Sequence, residues 1–184
     1  MSPDQTIIHQ TRAWLREVVI GCNFCPFAAK PYNQGRIHFE VFHSANMEPC
    51  LEALIRECRR LDADMTIETT LLILPDGFGG FEEYLDLVAL AEDLLAEMDY
   101  EGIYQVASFH PAYRFADSTE DDPANYTNRS LYPMLHLLRE ASVERAIAHH
   151  PDPDSIPERN VDYARQRGLA HMQLLREACF AEQS

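Results

Sequence analysis

Seven residues that can carry charge or hydrogen-bonding chemistry fall within one stretch, residues 105–139: His110, Arg114, Asn125, Asn128, Arg129, His136 and Arg139. The stretch reads QVASFHPAYRFADSTEDDPANYTNRSLYPMLHLLR, richer in such groups than a connecting loop needs. Histidine titrates nearest neutral pH, so His110 can serve as general base, general acid or metal ligand. Arginine grips phosphate and carboxylate through a planar fork of donors, so Arg114, Arg129 and Arg159 are candidates for holding an anion. Asn125, Asn128 and Asn160 can orient a ligand, although asparagine also caps helices and shapes turns. Glu158, in the run Pro157-Glu158-Arg159-Asn160, is a second candidate acid or base, and it also stands where a capping box with Ser155 would put it. Cys22 and Cys25 form a single C-x-x-C pair. As a redox pair it needs a helix start to lower one thiol pKa; as a zinc or iron site it needs further ligands, such as His110. Packing alone also accounts for it.

The elements that must position these groups follow from hydrophobic spacing. Ser2-Pro3-Asp4-Gln5 reads as a capping box, and Ile7, Ile8, Thr11, Trp14, Leu15, Val18 and Val19 keep helical spacing as far as Gly21. Strands are expected at 36–43, 66–74 and 103–109. Helices are expected at about 47–61, 81–98 and 130–148, with a last one opening near Ser155 that Gly168 either breaks or interrupts. Two successive strand-helix-strand units favour parallel neighbours. The expectation is a single α/β domain over residues 1–184: a small three-stranded, mainly parallel sheet flanked by about five helices. A ferredoxin-like α+β sheet is the alternative. In a parallel sheet the strand carboxyl ends share one edge, which would gather His43, Asp76, His110 and the loop after it. A helix starting near Ser130 would add free backbone N–H groups to an anion cradle.

Composition narrows the partners. Thirty acids against fifteen bases give a formal charge of −15, which disfavours nucleic acid and anionic lipid. No apolar run is long enough to cross a bilayer and the first residues lack a signal-peptide pattern, so a cytoplasmic location is expected. Five cysteines in such a compartment do not suggest a disulfide framework. Exposed sheet edges could be covered by a second copy, making a homodimer.

The segments CNFCPFA, ETTLLILP, YQVASFHPAYRF, NYTNRSLYPMLHLLRE and IPERN, in this order, resemble the bacterial family known as domain of unknown function 1415. In that pattern a proline usually follows the serine of NRS, where this chain has Leu131. The resemblance implies a small soluble bacterial protein. Its polar motifs coincide with Cys25, His110, Asn128, Arg129, His136, Arg139, Glu158, Arg159 and Asn160, and it implies no activity and no cofactor. The residues themselves point to a hydrolase or transferase acting on a small phosphorylated or carboxylated metabolite, with arginines holding the anion and His110 moving a proton. No glycine-rich dinucleotide fingerprint follows any expected strand. A metal or redox module at Cys22/Cys25 and a noncatalytic interaction protein are the alternatives.

Overall fold

A computed structural model describes residues 2–181. The capping box at Ser2 is formed: Gln5 N–H donates to Ser2 Oγ at 3.2 Å and Ser2 N–H donates to Gln5 Oε1 at 2.8 Å. It opens α1 (Pro3–Trp14), which continues as a π-helical turn (Leu15–Ile20) and buries Trp14, Leu15, Val18 and Val19. After a short α2 (Ala29–Asn33) come β1 (Ile37–Val41), α3 (Met47–Ala63), β2 (Thr69–Ile73), α4 (Phe81–Glu97) and β3 (Tyr104–Phe109). The chain then runs through a long loop with a 3-10 turn (Pro123–Thr127) into β4 (Met134–Arg139) and α5 (Glu140–His149). It ends in α6 (Ile156–Arg167) and α7 (Leu169–Ala181). No helix among the described residues is long and apolar enough to cross a membrane.

The fold is α/β, but the sheet has four strands in the order β1-β2-β4-β3 rather than three. β1 and β2 are parallel, while β4 is antiparallel to both β2 and β3. The three strands read from sequence therefore run in one direction, with β4 inserted against them between β2 and β3. The ferredoxin-like alternative alternates its elements differently from the β-α-β-α-β-β order here.

β4 replaces the first half of the helix expected from Ser130 to Ala148. Leucine and methionine are good helix formers, and Leu135, Leu138 and Ser142 happen to keep helical spacing. The same residues also alternate. Leu135 and Leu137 face the α3 and α4 side, while Met134 faces α1. A central position with ladder hydrogen bonds on both sides outweighs intrinsic helix preference. Pro133 adds to this by holding Tyr132 out of the helical region. Among the described residues the α-helices number seven rather than about five, because α2 forms and Gly168, at φ 85°, separates α6 from α7.

Helices cover both sheet faces. On one, Trp14, Phe39, Leu71, Ile73 and Met134 pack beneath α1 and the π-helical turn. On the other, Leu54, Leu61, Leu72, Tyr84, Leu87, Leu135 and Leu137 form the core under α3 and α4. Cys50 and Cys58 lie in this second core, as their helical spacing predicts; burial and nearby acids push the Cys58 thiol up to about 12. At one sheet edge, Val41, Ile73, Met134 and Phe109 form a row of register partners. The loop bearing His110, Asn128 and Arg129 leaves from this row.

Candidate functional site

The carboxyl edge gathers His43 and Asp76, but as an exposed ion cluster rather than a pocket. His43 Nδ1 lies 2.7 Å from Asp76 Oδ2 and Nε2 lies 2.8 Å from Asp4 Oδ1, which ties the start of α1 to the ends of β1 and β2. Hydrogen bonds to Asp4 and Asp76 hold the His43 pKa above its usual value.

His110 occupies the same edge beneath the surface, with no solvent exposure. Ala112 N–H donates to Nδ1 at 2.9 Å, so the proton sits on Nε2, which donates to Phe78 O at 2.7 Å. Phe81 and Tyr84 pack against the ring with centroids 5.3 and 4.8 Å away. Burial lowers its pKa, and the imidazole is neutral with both nitrogens engaged. Phe78, whose carbonyl it holds, has φ 60°, an uncommon conformation for a bulky side chain.

The polar loop is folded by its own side chains. A loop without a ladder must satisfy its backbone groups in other ways, and here asparagine and arginine do so. Asn125 Oδ1 accepts from Phe115 N–H and Ser118 Oγ at 3.1 and 2.8 Å, while its Nδ2 donates to Thr119 O at 2.8 Å. Asn128 Nδ2 donates to Ser108 O, and His110 N–H to Asn128 O, both at 3.2 Å. Arg129 is 9% exposed; it donates through Nε to Tyr113 O at 3.0 Å and through Nη2 to Glu120 O at 2.9 Å, with its guanidinium 4.9 Å from the centre of the Tyr126 ring. No helix starts at Ser130, whose hydroxyl donates to Tyr132 O, so the expected helix-start contribution to an anion cradle is absent. Arg114 is exposed and has no hydrogen-bond or ion-pair partner among the described residues.

The remaining candidates are scattered. Arg139 lies at the opposite end of β4, where it donates to the carbonyls of Leu61, Asp64 and Ile67. His136 sits half-buried in the middle of β4; Thr69 Oγ1 gives its hydrogen to Leu137 O and accepts from His136 Nε2 at 2.8 Å. Burial lowers the His136 pKa to about 4. Arg159 Nη2 donates to Asn23 O and Asn160 Nδ2 to Phe24 O, which pins α6 to the turn between the two cysteines. Glu158 is exposed, and the capping box with Ser155 does not form because the Ser155 hydroxyl donates to Asp152 O. Cys22 and Cys25 are free thiols whose pKa values burial raises, so neither is poised as a thiolate near neutral pH. The described residues do not bring Cys22, Cys25 and His110 together as one ligand group.

The histidines yield opposite pH signatures. His43 is raised, so its contribution to stability is fully present below about pH 6.5 and fades as pH rises through its folded value. His136 is depressed, so its contribution is present above about pH 6.5 and is lost as pH falls toward about 4. Imidazole NMR titration should place His43 highest and His136 lowest of the two; the reverse order would contradict the hydrogen-bond assignments.

Sequence reading missed Arg176 on α7. Its Nε donates to Ser130 O at 2.9 Å, next to the residue whose guanidinium stacks on Tyr126. Burial, and secondarily the positive charge of Arg129, lower its pKa, although the Tyr126 and Glu177 charges act the other way. Neither Arg129 nor Arg176 has a carboxylate within ion-pair distance among the described residues. Arg176 is 46 residues from Ser130, and no local spacing marks it.

No curated protein and no solved structure matches the chain. Residues 6–174 match the family model described as "Protein of unknown function (DUF1415)", and the chain belongs to that family.

Proposed function

We propose that this protein binds a small phosphorylated or carboxylated metabolite at the Arg129 and Arg176 guanidinium groups. The supporting observation is that Arg129 is 9% exposed and Arg176 is partly buried, and neither has a carboxylate partner among the described residues, in a chain with thirty acids and fifteen bases. Burying a cation is costly unless it is paired, and this chain has acids in excess to pair with it. Arg129 has Nε and Nη2 on carbonyls, and Arg176 has Nε on one. A phosphate or carboxylate is the complementary group for the donors that remain. Arg114 follows Tyr113, whose carbonyl Arg129 holds, and is an exposed cation on the same loop.

A hydrolase or transferase remains the reaction class in this reading, with affinity drawn from the arginines. His110 serves it best as the post that fixes the loop, since a proton-transfer role requires it to release Phe78 or Ala112. A thermal-shift screen of phosphorylated and carboxylated metabolites tests the proposal. Stabilisation by anions that declines with added salt and is lost in Arg176→Gln supports it. An unchanged response in a folded Arg176→Gln protein counts against it.

A further inference from the structure

On the other face of the sheet, β1 and α3 bring together three side chains far apart in function from the loop. His38 and Glu40 are two residues apart on β1 and so project from the same face, toward α3, where Glu57 lies 3% exposed. His38 Nε2 is 3.1 Å from Glu40 Oε2 and 3.5 Å from Glu57 Oε2. Among the described residues these form the one group of three or more potential metal-ligand side chains whose donor atoms all lie within 4.8 Å of one another. Metal–ligand bonds of about 2.0–2.2 Å place neighbouring donors about 3–3.5 Å apart, which matches the two histidine distances.

An independent observation comes from β2. Thr70 is the register partner of His38, which places it beside that residue on the same face. It has no solvent exposure, and its hydroxyl is the one buried side-chain polar atom among the described residues without a hydrogen-bond partner. A buried hydroxyl in that position is a natural partner for water carried by a cation. The competing cation is Arg60, whose Nε lies 3.0 Å from Glu57 Oε2 and whose Nη2 lies 3.6 Å from Glu40 Oε2. Its side chain is 44% exposed and can withdraw into solvent.

We propose that His38, Glu40 and Glu57 bind one divalent cation, with Thr70 bonded to its water and Arg60 as the counter-ion that the metal displaces. One imidazole and two carboxylates suit manganese, iron or zinc. Manganese is the better probe because oxygen and nitrogen ligands suit it, whereas zinc would also engage the thiols. Mn²⁺ titration of the chelator-treated full chain, followed by the electron paramagnetic resonance signal of free Mn²⁺, is the test. One equivalent should bind. Affinity should fall at least about tenfold in His38→Gln and in Glu40→Gln, and should rise in Arg60→Gln. Thermal unfolding of each variant verifies that it is folded. Failure of the wild-type chain to bind one equivalent, or binding that folded His38→Gln leaves intact, would overturn the proposal.

Discussion

Replacing Trp14 by alanine should lower the unfolding free energy by about 4 kcal/mol, a change large enough to threaten folding at ordinary temperature. The side chain has no solvent exposure and is packed edge-on to Phe109, with centroids 5.1 Å apart. Its Nε1 donates to Arg129 O at 3.1 Å, so truncation also leaves a carbonyl of the polar loop without its partner. α1, β3 and the loop all meet at this one ring. Circular dichroism in a thermal melt is the suitable readout, since the substitution removes the only tryptophan. A loss under about 1 kcal/mol would mean that the loop does not rely on α1.

His110→Ala should cost about 3 kcal/mol, measured as an earlier urea midpoint. Phe78 O loses its partner where the chain is closed to solvent, Ala112 N–H loses its partner nearer the surface, and removal of the fully buried ring leaves a cavity. Phe78 is also held at φ 60°, a conformation that persists only where surrounding contacts impose it. A side chain devoted to proton transfer would behave differently: its removal would spare stability and abolish turnover. Unchanged stability in the alanine variant would therefore restore His110 as a free acid or base.

The elements legible in the sequence were those whose hydrophobic period matched their final burial. β2, with all five residues buried, and α3, with Cys50, Leu54, Cys58 and Leu61 on one face, are plain examples. β4 was not legible, because Met134 to Arg139 satisfies a helical and an alternating pattern at once and only its neighbours in the sheet decide between them. The polar density of residues 105–139 was also legible, but its meaning was only partly so. Asn125, Asn128 and Arg129 bond to the backbone of their own loop, and residue type alone does not distinguish such use from binding. Arg176 and the pairing of His38 with Glu57 arise from contacts between distant elements, so neither had a local signal.

The central claim is that Arg129 and Arg176 share an anion. Its most direct test is titration of the wild-type chain and of Arg176→Gln with inorganic pyrophosphate, followed by the fluorescence of Trp14, whose indole is bonded to Arg129 O. A saturable change in the wild type that weakens at least about tenfold in the folded variant is the predicted result, the loss expected for removing one charge-assisted contact. A saturable change of equal affinity in both proteins, or none in the wild type, would contradict it.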